Sequence, residues 1–133
     1  MVAQMKLPYY ARYLMRLLTS LLAGALLFSN AFAYDSSGSA VIKFSALPVE
    51  AQRTIGLIRQ NGPFPYDKDG STFGNYEKRL PQQKRGYYRE YTVKTPHLRG
   101  RGAKRIVTGG WQQPPWKYYY TSDHYKTFKL VLE

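Results

Sequence analysis

Hydrophobic positions along this chain change their period from one segment to the next. Residues 17–28 are almost continuously apolar. Over residues 48–60, Ala51, Ile55 and Ile58 recur at helical spacing. Pro48 suits the first turn of a helix, Glu50 complements its positive end, and Asn61-Gly62 is a stop signal. A helix this short needs a partner surface to be stable. From residue 86 onward the pattern becomes strand-like. Residues 87–93, 105–108, 117–121 and 127–132 are rich in β-branched and aromatic residues, and turn signals separate them at Thr95-Pro96, Gly109-Gly110 and Ser122-Asp123. Short spacers favour antiparallel pairing. The pattern therefore predicts an α+β domain, with one main N-terminal helix packed on one face of an antiparallel β-sheet. Residues 62–74, with Pro63, Pro65 and three glycines, read as a long ordered loop, and residues 34–40 as a loose leader.

The apolar run 17–28 follows Lys6, Arg12 and Arg16 and precedes Ala31-Phe32-Ala33. Basic residues, apolar stretch and small-residue cleavage site, in that order, describe a secretory signal. The competing reading is a membrane anchor, but the run falls short of the roughly 20 residues needed to span a bilayer. The expected organisation is a signal peptide over residues 1–33 and one domain over 34–133. The product would be exported, outside the cell or in a periplasm, with no stable membrane association after cleavage.

Composition sharpens this picture. Three of the 20 basic residues precede position 34 and all eight acidic ones follow it, so the domain carries seventeen against eight, a formal charge of +9. Such a field draws in polyanions, with nucleic acid first and anionic membrane or polysaccharide next. Cysteine is absent. That excludes disulfides, thiol nucleophiles and zinc–cysteine sites, and leaves packing and hydrogen bonds to hold the fold. Ten of the 13 tyrosines lie after residue 33, able to build core while keeping a hydroxyl at the surface.

Few residues can carry chemistry. The two histidines are His97 and His124, and imidazole changes charge near neutral pH. His124 lies in a turn between two expected strands, where it can face a cleft. His97 follows Pro96 in a polar loop and reads as a surface residue. Glu90 is a carboxylate in the middle of a strand; alternation puts it with Tyr88 and Thr92, opposite Tyr87, Arg89, Tyr91 and Val93. An inward carboxylate needs cations or donors, so Glu90 is either half of a structural salt bridge or a catalytic group. Residues 99–106, Arg-Gly-Arg-Gly-Ala-Lys-Arg-Ile, combine glycines that permit close backbone approach with guanidinium forks that match phosphate oxygens. The plain alternative is a solvated basic loop. Asp67-Lys68-Asp69-Gly70 has the start of a calcium loop, but its glycine is misplaced and the twelfth-position glutamate is missing. No metal site is expected.

Several motifs occur in order from about Ser45 to Leu130: Leu47-Pro48 into the helix, Gly62-Pro63-Phe64-Pro65-Tyr66, Phe73-Gly74-Asn75-Tyr76-Glu77, the strand 87–93, Arg101-Gly102-Ala103-Lys104-Arg105-Ile106, and Asp123-His124-Tyr125. In these the chain resembles the small guanyl-specific microbial ribonucleases, the group that includes barnase and RNase Sa. The resemblance implies that Glu90 is the general base and His124 the general acid, and that Arg101 and Arg105 hold the scissile phosphate with Tyr125 beside it. It also implies that Glu77 reads guanine, with the backbone of Asn75 and Tyr76 in the same loop and Phe73 near the base. Gly74 and Tyr76 stand where RNase Sa has glutamine and arginine, Lys43 stands where it has a disulfide cysteine, and the connection 111–117 is longer and richer in proline.

The function so implied is a secreted, metal- and cofactor-independent endoribonuclease. It would act as a monomer and cleave single-stranded RNA 3′ of guanosine through a 2′,3′-cyclic phosphate, with an acidic, barstar-like inhibitor as a partner to expect. Two other readings compete. A non-catalytic cationic RNA-binding module would also use interleaved Lys/Arg and tyrosine. A membrane-active protein would prefer a strongly basic amphipathic helix, whereas residues 48–60 offer only Arg53 and Arg59.

Overall fold

The computed structural model describes residues 39–133; the segment read as a signal peptide lies outside them. Strand β1 (Val41–Lys43) leads through a 3-10 turn (Phe44–Ala46) into helix α1 (Val49–Arg59). Then follow β2 (Ser71–Thr72), β3 (Tyr88–Thr92), β4 (Arg105–Gly109), β5 (Lys117–Thr121) and β6 (Lys129–Leu132). The strands form one sheet in the order β1-β6-β5-β4-β3-β2. Among the described residues there is a single α-helix, so the α+β expectation holds.

The helix begins and ends for local reasons. The Pro48 carbonyl accepts from the amides of Ala51 (2.9 Å) and Gln52 (3.1 Å). At the other end Asn61 adopts a left-handed φ of 61°; its amide reaches the Ile58 carbonyl (3.1 Å) and the Gly62 amide reaches that of Leu57 (2.8 Å). This pair of bonds is a Schellman ending, with asparagine in the position glycine usually takes. Thr54 ties the helix to the sheet by donating to the Thr92 carbonyl (3.3 Å).

Both faces of the sheet are buried, where the hydrophobic pattern pointed to one. Toward α1, Tyr91, Val93, Ile106, Tyr118 and Tyr120 meet Leu47, Ala51, Ile55 and Ile58. Phe64 of the loop after the helix packs tilted against Tyr91 with centroids 5.1 Å apart. On the far face Leu80, Tyr88, Val107 and Tyr119 form a second cluster, flanked by Phe73, Tyr125 and Phe128. Tyrosines on successive β5 positions serve both layers, which is how a chain without cysteine fills two small cores.

Three features depart from the expected elements. Strand β1 pairs parallel to β6, and the Leu130 amide donates to the Ala40 carbonyl (2.8 Å), so the end of the supposed leader belongs to the sheet. Residues 71–72, inside the supposed loop, pair with Glu90 and Arg89 as an edge strand. The last strand starts at Lys129 instead of position 127, because Thr127 is engaged by the Asp123 carboxylate.

Candidate active site

Two rows of cross-strand neighbours, on the face away from α1, build the site. In one row Ser71, Glu90, Val107 and Tyr119 are successive partners; in the next, Thr92, Arg105 and Thr121. Alternation along β3 thus puts Glu90 and Thr92 on the cleft face and sends Tyr91 into the helix-side core, as the sequence pattern indicated.

Glu90 is 14 % exposed and well provided with donors. Its Oε1 accepts from Arg101 Nη2 (3.2 Å) and from Ser71 Oγ (3.4 Å), and its Oε2 accepts from the Tyr125 hydroxyl. The salt bridge that was one reading of Glu90 is present, made to the loop residue Arg101, and it lies in the cleft.

Arg101 is aimed by a loop with little freedom. Its Nε donates to Thr92 Oγ1 (3.0 Å). Beneath it, Arg105 is 2 % exposed, and its Nη1 serves the carbonyls of Arg101 (3.3 Å), Gly102 (2.8 Å) and Lys104 (2.8 Å). Its Nε is buried without a partner. The two arginines therefore differ in placement: Arg101 lines the cleft, while Arg105 lies below it, 5.9 Å from the Tyr125 ring centroid. Gly102 is required at its position. Its φ is +60°, and a Cβ there would sit 2.8 Å from Thr95 Oγ1 and 3.0 Å from Leu98 Cδ2.

The turn after β5 presents His124. Thr121 Oγ1 donates to Asp123 Oδ1 (2.8 Å) and accepts from the Tyr125 amide (3.2 Å), while Thr127 donates to both Asp123 oxygens. Hydrogen bonds from Thr127 above all hold the Asp123 carboxyl down at about 2. His124 and Tyr125 take left-handed φ values of 55° and 71°, which turn the exposed imidazole outward beside the Tyr125 ring, centroids 4.9 Å apart. Burial, followed by the hydrogen bond to Glu90, pushes the Tyr125 hydroxyl up to about 12, so it stays a neutral donor.

The remaining wall is the loop after β2. Phe73 stacks on Tyr125 at 4.9 Å. The Asn75 side chain closes the loop on itself: its Nδ2 donates to the Leu80 carbonyl (2.9 Å) and its Oδ1 accepts the Leu80 amide (3.0 Å). Glu77 remains 73 % exposed, with Arg79 Nε at 3.6 Å. Tyr76 folds over Gly74, where a Cβ would collide with its ring, and its hydroxyl accepts from Arg85 (3.3 Å).

Glu90, Arg101, His124, Tyr125, Phe73, Asn75, Tyr76 and Glu77 thus line one cleft of about 580 Å³. Thr92, Ser71 and Asp123 were not singled out from the sequence. Asp123 lies inside a motif already noted, and the other two act only through cross-strand register. His97 sits apart, exposed in the β3–β4 loop. Asp69 of the calcium-like stretch accepts the amides of Thr92 (2.7 Å) and Tyr66 (3.2 Å), fastening the loop 66–70 to the end of β3.

This arrangement can be set beside known proteins. Residues 31–132 match the ribonuclease family. Guanyl-specific ribonuclease Sa of Kitasatospora aureofaciens is 53 % identical over 97 residues, covering 73 % of this chain and 96 % of that protein. Guanyl-specific ribonuclease St of Saccharopolyspora erythraea is 46 % identical over 98 residues, 74 % of this chain and 93 % of that protein. Among solved structures, ribonuclease Sa2 in complexes with mononucleotides superposes with a TM-score of 0.67 at 44 % identity, covering 71 % of this chain and 95 % of that one. Sa2 with guanosine-2′-cyclophosphate gives 0.63 at 45 % identity, covering 70 % and 96 %. The chain therefore belongs to the microbial ribonuclease family that contains these guanyl-specific enzymes.

Proposed function

We propose that this protein is an endoribonuclease that cleaves single-stranded RNA on the 3′ side of guanosine, with Glu90 as general base and His124 as general acid. The observation that carries this reading is the meeting of a donor-rich carboxylate, a guanidinium and an imidazole in one nucleotide-sized cleft. Glu90 takes the proton of the ribose 2′-hydroxyl, the oxygen attacks the adjacent phosphorus, and His124 protonates the departing 5′-oxygen. The product is a 2′,3′-cyclic phosphate, which water opens with the two roles exchanged. Each positioned proton transfer contributes roughly 10²- to 10⁴-fold. The step needs an ionised Glu90 and a protonated His124, so the rate falls away on both sides of an optimum.

Arg101 neutralises charge gathering on the phosphoryl oxygens, usually a large share of the rate enhancement. Arg105 adds its charge from below and holds the loop that aims Arg101. Glu77 accepts from guanine N1–H and the exocyclic amine, a donor pair adenine lacks, while loop amides donate to O6 and Phe73 lies against the base. That edge is free only in unpaired RNA. Ribonuclease Sa2 complexes with guanosine-2′-cyclophosphate and 3′-GMP support this reading, since both are guanine nucleotides phosphorylated at the ribose. The protein is proposed to act as an exported monomer, with an acidic barstar-like protein as the class of inhibitor to expect.

The test is digestion of a defined RNA with the isolated domain, followed by mapping of the ends. Cyclic phosphate after guanosine, unaffected by EDTA, is expected. Binding without cleavage would favour a non-catalytic RNA-binding module, and ends without guanosine would remove the role of Glu77.

A further inference from the structure

The connection between β4 and β5 does something the cleft does not require. Trp111 and Trp116, the two tryptophans of the chain, stand 59 % and 56 % exposed at the end of the sheet. Trp111 packs edgewise on Tyr87 with centroids 5.7 Å apart and Trp116 lies tilted against it at 6.4 Å, so that the three rings form a cluster open to solvent. The loop between them is not loose. Gln113 Nε2 fastens its tip to the Ile58 carbonyl (2.6 Å), and Trp116 folds back so closely on Gly110 that a Cβ there would lie 2.9 Å from the Trp116 amide nitrogen.

The surroundings of this cluster are cationic. Lys84, Arg85, Arg89 and Lys117 are all exposed. Between residues 78 and 122 the one carboxylate is Glu90, which belongs to the cleft. The cluster is also continuous with the base-reading loop. Arg85 donates to the Tyr76 hydroxyl (3.3 Å), and the Trp111 ring lies 3.5 Å from where a Cβ of the next residue, Gly86, would be.

Resting on the ribonuclease reading of the cleft, we infer that the Trp111–Tyr87–Trp116 cluster with Lys84, Arg85 and Lys117 is a second RNA contact, which stacks bases of single-stranded substrate lying outside the cleaved dinucleotide. Exposed rings with cations between them are what an unpaired polyanion needs: every base offers a π-face, and every linkage carries a negative charge. An acidic protein could also use the charge, but continuity with the substrate cleft favours the RNA strand itself.

Two measurements test this. The first compares wild type with W111A/W116A on a GpN dinucleotide and on a single-stranded RNA of about ten residues holding one guanosine; kcat/KM on the longer RNA should fall about fivefold or more. The dinucleotide rate should be unchanged, and W111F/W116F should restore part of the loss. Equal losses on both substrates, or none on the longer, would overturn the inference. The second uses the tryptophans as their own probe. An uncleavable single-stranded DNA of about ten residues should quench their fluorescence in a saturable, salt-sensitive way. No quenching would overturn the inference and leave the cluster to a protein partner. Failure of wild type to cleave even the dinucleotide would instead count against the ribonuclease reading, and the quenching titration would still decide on the cluster.

Discussion

The main-chain amide of His124 donates to the carbonyl of Ala103 at 3.1 Å. That bond joins the turn carrying the imidazole to the loop carrying Arg101, two segments separated in sequence by β4 and β5. Arg101 in turn pairs with Glu90. Glu90, Arg101 and His124, the proposed base, phosphate ligand and acid, are therefore linked through the Arg101–Lys104 loop, and loosening this loop should disturb all three.

With Glu90 and His124 as the proposed proton carriers, Glu90→Gln and His124→Ala should each lower kcat on a GpN dinucleotide by roughly 10²- to 10⁴-fold. Their circular-dichroism spectra should match wild type, since His124 is exposed and glutamine keeps the shape of Glu90. Wild-type turnover by either variant would remove that residue from the mechanism.

Base choice should separate from turnover at Glu77. With 73 % of its side chain exposed, Glu77 contributes little to folding. Glu77→Ala should lower kcat/KM for GpN by the equivalent of about 1–3 kcal/mol while barely changing other dinucleotides. The ratio of GpN to ApN cleavage reads this directly; an unchanged ratio would place guanine recognition elsewhere.

Asp123 makes the His124 turn sensitive to acid. Its carboxyl is held at about 2 against an ordinary 3.8, mainly by Thr127. A depressed carboxylate stabilises the fold above its unfolded value, and the contribution is lost as pH falls toward the folded one. Asp123→Asn should thus melt below wild type at neutral pH, and the gap should narrow as pH drops from 3.8 to about 2. A gap that is constant across this window would mean that the carboxylate charge does not hold the turn.

Gly102→Ala combines a left-handed φ with an occupied Cβ position. The conformational part alone costs about 1–2 kcal/mol. Urea unfolding should show at least that loss, together with reduced activity, because Arg101 is adjacent. The same substitution at Gly56, whose Cβ would meet nothing within 4 Å, should be neutral or stabilising.

Local order was legible in the sequence. The helical spacing of Ala51, Ile55 and Ile58, the alternation that separates Glu90 from Tyr91, and the turn signals around β4 and β5 are short-range patterns, each set by the backbone period of its own element. Glu90 stood out because a carboxylate in mid-strand conflicts with burial unless it is paired, and His124 because a turn residue between strands can face a cleft.

Only the tertiary structure decided which partners they meet. Strands β1 and β2 are too short to carry a period of their own and exist through pairing with β6 and β3. Arg101 and Arg105 look alike in sequence, yet one lines the cleft and the other is buried beneath it, because only Arg105 lies in a strand whose cleft-side face is covered. The sequence marked residues 111–117 only as a longer, proline-rich connection, and the exposure of Trp111 and Trp116 emerged with the fold. Sequence period sets which way a side chain leaves its own backbone; what it then touches depends on contacts between segments far apart in the chain, and these form only when the sheet closes.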